Sequence, residues 1–362
     1  MATSVSKTNP KSNSLNSFQS LASSAAGDAE DLKMRIGSIV AKTAQKIAAD
    51  FKKRKEGFSG DVKLLESGCW YPNDYCFALR SANQTVRLTF FINNGSFYHG
   101  FPNTKKTGLE YIPFDNATGK MTIACRLPEK GIKASDAIKA FQENLVLADC
   151  AQLCQVSQYQ ALLEILGEER FNKLFSSASH PKDRLVISSY AVQENSLLVF
   201  LKQKTTKEKD GFRVLEVGQR VAFENFQIYG LKHLNGEAGG FNTICVDATP
   251  SAPKFVALGT PPEGLTEEGI NSLMVEEYNK TPVDFSIFSS EIEKKIKAKF
   301  NPRLLPESQK LKDHKLTVLD LKAEVNGFQP SLTLEFNMDM VLLALATPLD
   351  KLSIEFLEQQ RI

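Results

Sequence analysis

The chain has 362 residues, 42% hydrophobic and 24% charged, which is ordinary for a globular protein and long enough for two or three domains. Its 44 basic and 42 acidic side chains leave a formal charge of +2, so no global electrostatic case exists for nucleic acid or an anionic membrane as the main partner. Six cysteines (Cys69, Cys76, Cys125, Cys150, Cys154, Cys245) occur without a C-x-x-C pair or zinc-spaced histidines, which argues against a disulfide scaffold or a structural zinc and for reduced thiols in a cytosol.

Residues 1–30 are rich in Ser, Asn, Thr and Ala and carry no acid before Asp28, so they are expected to be a disordered leader. This acid-poor start resembles the uncleaved export signals of bacterial type III effectors; the plain alternative is a flexible leader. No apolar h-region follows the early lysines, so no Sec signal peptide is expected, and no run of about 18 apolar residues is available to cross a bilayer.

Residues 31–57 carry Leu32, Ile36, Ile39, Val40, Ala44, Ile47 and Phe51 at helical spacing, with Asp28 placed to cap and basic residues at the far end. An amphipathic helix of this kind docks on the following domain; an export chaperone or a membrane surface is the alternative partner. Residues 60–130 alternate short β-type runs with turn signals, including Asn94-Gly95 between two apolar runs, and predict an antiparallel segment.

Residues 131–282 read as the core. Helices are expected at 135–147 and 149–175, then strands near 185–189, 196–202, 220–224, 242–247 and 254–258, then a helix at 265–278 begun by a Thr266 cap. Helices first and an antiparallel sheet after make the fold class α+β. Residues 283–362 are expected to be an accessory, partner-binding region, with a charged helix at 289–300 and strand-like stretches at 315–323 and 331–345.

Cysteine chemistry needs a thiolate, a proton carrier within hydrogen-bond reach and a group that fixes that carrier's orientation. Cys150 stands at the first turn of the second core helix, where unpaired N–H groups and the helix dipole favour negative charge on sulfur, so it is the nucleophile candidate. The alternative is a buried structural cysteine, and Cys154, one turn on, is assigned to packing. Of the four histidines, His99 precedes Gly100 in the early β segment, His180 precedes Pro181 in a loop after the helix, and His314 lies in a Lys-rich tail. His233, before the glycine-rich stretch that leads into a strand, is the base candidate, against the alternative of a surface-loop histidine. Asn242, Asp247 and Glu237 are candidates to orient it.

Several blocks stand in a fixed order: Gly119-Lys120-Met121 to Arg126-Leu127-Pro128, Ser135-Asp136-Ala137-Ile138, Glu143-Asn144, Asp149-Cys150-Ala151, Ile165 to Asn172, Val217 to Phe223, and Gly240-Phe241-Asn242 to Gly259. In that order and spacing, residues 110–280 resemble the compact bacterial protein-glutamine gamma-glutamyltransferases of the spore-coat type, a papain-like, NlpC/P60-related transglutaminase family. The resemblance implies a papain-like or transglutaminase-like core in which a nucleophile helix packs on the sheet. It also implies cysteine-dependent acyl transfer on a protein glutamine, by crosslinking or deamidation. Combined with the leader, it implies a bacterial effector made in the bacterial cytoplasm, exported into a host cytosol and acting on a host protein. A thiol protease or deubiquitinase would use the same parts.

The chain departs from the family at two places: Phe241 stands where the family has an acid, and Leu258 where it has a histidine. Neither side chain moves a proton, so either the base is His233 or the fold is catalytically degenerate and serves as a protein-binding module. Asp149 matches an acid beside the family's nucleophile, or is simply an acid at a helix start. No phosphate-binding glycine loop, dinucleotide fingerprint, zinc-protease, serine-hydrolase or calcium motif occurs, so no cofactor and no metal are expected. The aromatic residues lack interleaved basic runs and read as core, not as stacking platforms for nucleic acid.

Overall fold

The computed structural model describes residues 12–56, 110–115, 121–126, 133–143, 150–176, 184–187, 190, 195–204, 208–209, 212–233, 238–281 and 304–361. The expected hairpin at Asn94-Gly95, the helix at 289–300, and His99, His180, Asp149 and Glu237 lie outside the described residues.

Helix α1 (Ser12–Glu56) begins inside the stretch expected to be disordered. Between Ser12 and Glu56 the sequence has no proline, and it has no glycine before Gly27, to interrupt that helix. Its apolar stripe docks as expected: Ile36, Val40, Ala44 and Ala48 are buried in the core. Small residues on that stripe let the helix come close, and at Gly37 an added Cβ would lie 2.2 Å from the Val217 carbonyl oxygen.

Strands β1 (Glu110–Asp115) and β2 (Met121–Arg126) pair antiparallel, and β2 also pairs with β3 (Val186–Ile187), so the early β segment is hydrogen-bonded to the core. Helix α2 (Ala134–Glu143) starts on side chains borrowed from elsewhere: Ala134 N–H donates to Ser176 Oγ (2.8 Å) and Ser135 N–H to Asn172 Oδ1 (3.0 Å). Those acceptors satisfy N–H groups that a helix start leaves unpaired.

The helix expected at 149–175 is two helices, α3 (Cys150–Leu166) and α4 (Glu168–Phe175). They break at Gly167, whose φ of 79° no right-handed helix accommodates. In α3 every residue from Ala151 to Tyr159 is buried, so its first half has no solvent face, and exposure returns only at Glu164 near its end. Its buried polar side chains are paired: Gln155 Oε1 accepts from Asn195 (2.8 Å), Gln158 Oε1 from the Tyr190 hydroxyl (2.7 Å), and Ser157 Oγ donates to the Leu153 carbonyl (3.0 Å).

The strand expected at 196–202 is a 3₁₀ turn over Ser196–Phe200 followed by β4 (Leu201–Gln203). Asn195 caps the turn by accepting from Leu197 N–H (3.1 Å), which diverts this β-rich composition from the ladder. A two-stranded ribbon of β5 (Glu208–Lys209) and β6 (Phe212–Arg213) follows. Then come β7 (Arg220–Glu224), the short helix α5 (Tyr229–Lys232), β8 (Gly240–Asp247), β9 (Lys254–Val256) and α6 (Glu267–Asn279). Thr266 caps α6 by accepting from Gly269 N–H (3.3 Å), as its sequence predicts.

The C-terminal region is α7 (Leu304–Lys310), α8 (Val318–Ala323), β10 (Gly327–Phe336), α9 (Met338–Ala346) and α10 (Ile354–Gln359). It is not set apart from the core: the main sheet has the order β4-β10-β7-β8-β9, with β10 hydrogen-bonded on both sides. The stretch read as strand at 315–323 contains α8, because Thr317 and Asp320 form a reciprocal capping box. Arg170 binds the other end of the C-terminal region, donating to the Ala344 (2.9 Å) and Thr347 (2.6 Å) carbonyls at the end of α9.

Every described pairing of the main sheet is antiparallel, which makes the architecture α+β. Its two faces support two cores. Ile244 and Val256 join α1 and α3 in one, whereas Phe223, Phe241, Cys245 and Phe255 join α6 in the other. This alternation follows from the period-2 geometry of strands and sets which residues can meet Cys150.

Candidate active site

Cys150 is the first residue of α3, and the register of β8 decides what it faces. Asn242 has the same parity as Ile244 and therefore points to the α1–α3 side of the sheet. Its backbone N–H donates to Cys150 Sγ at 3.3 Å and its side-chain Nδ2 donates to the same sulfur at 3.4 Å. Two N–H groups from one residue thus converge on the sulfur at a helix start, an arrangement that stabilises sulfur as an anion.

Cys150 is half-buried, while Cys154 and Cys245 are fully buried. Burial first, and the Asp247 charge second, push the Cys245 thiol up to about 12, so that sulfur is an inert packing group at neutral pH. Cys154 lies inside the core formed with α1.

Asn242 is itself held. Arg220 Nε donates to Asn242 Oδ1 at 3.0 Å and Arg220 Nη2 donates to the same oxygen. Arg220 Nη1 donates to the Leu332 carbonyl, and the guanidinium lies 4.7 Å from the centre of the Tyr190 ring. The Tyr190 hydroxyl returns to α3 through Gln158. Only 8% of Arg220 is exposed, so the guanidinium is a buried cation compensated by carbonyl oxygens and a ring face.

Leu332 lies where β10 breaks register: between the pairs Gln329–Ala222 and Leu334–Arg220, β10 advances five residues and β7 only two. The bulge exposes Pro330 to Leu332 beside the Arg220 guanidinium.

His233, expected to be the base, is on the other side of the sheet. It is 7% exposed, its Nε2–H donates to the Tyr278 carbonyl at 2.8 Å, and its ring stacks on Tyr229 with 4.9 Å between centroids. Tyr229 and Tyr278 belong to the core on the face away from Cys150. The cause is local: α5 ends at Lys232 and turns His233 toward α6.

Asp247 closes the β8–β9 turn by accepting from Thr249 N–H (2.9 Å) and Thr249 Oγ1 (2.7 Å), and these bonds hold its carboxyl below the usual range. It lies five positions after Asn242, about 16 Å along β8. Phe241 packs in the α6 core, and Leu258 is buried in the core that contains α3. Of the four expected site residues, the structure therefore brings Cys150 and Asn242 together and leaves His233 and Asp247 apart from them. Arg220, Tyr190 and Gln158 were not expected at the site. The available signal was a cation opening the apolar run Arg220-Val221-Ala222-Phe223, which a buried strand can only hold if it is paired.

Among the described residues no group of three or more His, Cys, Asp or Glu could hold a metal ion, and no helix is long and apolar enough to cross a membrane.

No protein-family model matches the chain, and no curated protein matches it. Among solved structures, one bacterial protein is similar to this chain. It is the transglutaminase from Geobacillus stearothermophilus without its C-terminal extension, 15% identical, covering 70% of this chain and 86% of that one with a TM-score of 0.39.

Proposed function

We propose that the protein is a cysteine-dependent acyltransferase of the transglutaminase or deamidase type, with Cys150 as nucleophile and the side-chain carboxamide of a protein glutamine as acyl donor. The observation that carries this reading is the pair of Asn242 N–H groups on Cys150 Sγ at the start of α3. Sulfur attacks the carboxamide carbon, the C–N bond breaks, and ammonia leaves with the thiol proton, giving a thioester. A lysine amine then displaces sulfur to give a crosslink, or water displaces it to give glutamate. As sulfur turns toward the substrate, the Asn242 donors become available to the oxygen on which negative charge develops.

His233 has no part in this scheme, because its ring is packed among Tyr229 and Tyr278. Its position is also the specific observation behind a second reading, a catalytically degenerate transglutaminase-like fold that binds a partner protein. A bacterial effector acting on a host protein is the biological setting that fits the leader composition, and a thiol protease or deubiquitinase is the neighbouring chemistry.

The test is turnover on a glutamine-rich protein such as casein, with ammonia release and incorporation of a fluorescent primary amine measured for wild type and Cys150→Ala. Ammonia release that depends on Cys150 supports the acyltransferase. Its absence across a panel of glutamine proteins, together with an unreactive Cys150, leaves the binding module.

A further inference from the structure

We propose that Arg220 is a positioning residue for the nucleophile, which acts by fixing the side-chain amide of Asn242 with nitrogen toward Cys150. This deepens the reading of Cys150 as nucleophile and rests on it. The two ends of an asparagine amide have almost the same shape and opposite hydrogen-bonding character. Turned one way, Asn242 offers Nδ2–H to the sulfur; turned the other way, it offers Oδ1, whose lone pairs repel a thiolate. The surroundings must choose between these orientations.

Arg220 makes the choice, because a guanidinium only donates. Two of its nitrogens, Nε at 3.0 Å and Nη2, face the same Asn242 atom, which must then be the acceptor Oδ1, leaving Nδ2 for Cys150. Lysine cannot reproduce this, since its single ammonium lacks the planar fork.

The guanidinium is in turn fixed on its remaining sides. Nη1 donates to the Leu332 carbonyl in the β10 bulge, and the plane lies against the Tyr190 ring, whose hydroxyl donates to Gln158 of α3. The chain of contacts runs from α3 through Tyr190, Arg220 and Asn242 back to the first residue of α3. The bulge that exposes Pro330 to Leu332 thereby has a role: it turns one strand carbonyl onto the guanidinium.

The experiment is a double-mutant cycle on the rate at which iodoacetamide alkylates Cys150, with site occupancy read by mass spectrometry in Arg220→Ala, Arg220→Lys, Asn242→Ala and Arg220→Ala/Asn242→Ala proteins. Arg220→Ala is expected to slow alkylation about tenfold, the worth of a hydrogen bond to a charged group. Arg220→Lys is expected to stay slow, and added guanidinium ion to recover part of the rate in Arg220→Ala. The double variant is expected to be no slower than Asn242→Ala, because Arg220 acts through Asn242. Wild-type rates in Arg220→Ala, or losses that add in the double variant, would overturn the proposal while leaving the nucleophile reading intact.

A second readout needs no reactive thiol. In protein labelled with ¹⁵N-asparagine, the Asn242 side-chain amide resonances are expected to respond to Cys150→Ala when Arg220 is present and to lose that response in Arg220→Ala. A response retained without Arg220 would overturn the positioning role even if Cys150 proved unreactive in every variant.

Discussion

The Asn242 side-chain nitrogen lies 3.4 Å from Cys150 Sγ, joining β8, between β7 and β9 in the sheet, to the first residue of the central helix. Backbone and side chain of one residue point at one sulfur, so Asn242 is the position at which a single substitution separates chemistry from fold. Asn242→Ala removes one donor and keeps the backbone N–H, and is expected to slow Cys150 alkylation at pH 6.5 about tenfold. Asn242→Asp is nearly the same size but places a carboxylate against the sulfur, and is expected to be slower than the alanine variant. Equal rates for the three proteins would show that the amide does nothing for the thiol.

A pH effect on stability is expected from Lys232 on the other face. It is fully buried, its Nζ donates to the His314 carbonyl (2.6 Å) and sits 4.5 Å from the centre of the Tyr278 ring, and burial pulls its pKa down to about 8. Lys315 lowers it further and Asp313 opposes this. The folded protein thus releases a proton that the unfolded chain keeps to about pH 10.4. Between those values the unfolded state binds more protons, so the Lys232 contribution to stability rises with pH. Other groups also contribute in this window, including Cys245, whose thiol ionises there in the unfolded chain but is held at about 12 when buried, so the comparison is with Lys232→Met. Urea melts at pH 7 and pH 9 are expected to show the methionine variant ahead at pH 7 by more than at pH 9. A gap that does not change with pH would refute the assignment.

The contact between α1 and the turn before β7 depends on two glycines. A Cβ on Gly37 would meet the Val217 carbonyl oxygen at 2.2 Å, and one on Gly218, whose φ is 87°, would meet Gly37 Cα at 2.4 Å. Those atoms are backbone and cannot swing aside, so Gly37→Ala is expected to cost about 1–3 kcal/mol in a denaturant melt. Lys33 on α1 reinforces the same junction with an ion pair to Glu216 (2.6 Å). A neutral Gly37→Ala melt would mean that α1 does not dock there.

Val325 gives the opposite sign. It has a φ of 60° and is 84% exposed, so a β-branched residue holds a left-handed turn conformation without packing in return. Val325→Gly is expected to stabilise the protein by about 0.5–1 kcal/mol. Destabilisation would show that the valine makes contacts that offset its conformation.

Much of this fold can be read in the chain because its signals are local. The stripe from Leu32 to Ile47, the Thr266 cap, and strands β7 and β8 follow from spacing and side-chain chemistry of neighbouring residues. Local pattern and structure part where a non-local partner or one torsion angle decides. A helical pattern from 149 to 175 does not reveal that Gly167 takes a positive φ, and Ser196 to Phe200 is β-prone in composition yet closed into a turn by Asn195. The last 80 residues carry no sign that β10 enters the sheet between β4 and β7, because strand order is a property of the whole chain. The site divides in the same way. Cys150 announces itself by standing at a helix start, whereas His233 stands before a glycine-rich stretch that leads into a strand, and its side of the sheet depends on how α5 turns. Arg220 was hidden because a strand-initial arginine looks like a solvated end until its partner Asn242 is placed beside it.

The decisive measurement is an iodoacetamide time course on the native protein at pH 6.5, with every cysteine followed by mass spectrometry. The prediction is rapid labelling of Cys150 that falls in Asn242→Ala, while Cys154 and Cys245 remain unlabelled until the protein unfolds. Labelling of Cys150 no faster than that of the buried cysteines, and indifferent to Asn242, would contradict the nucleophile assignment and leave a fold that binds without catalysing.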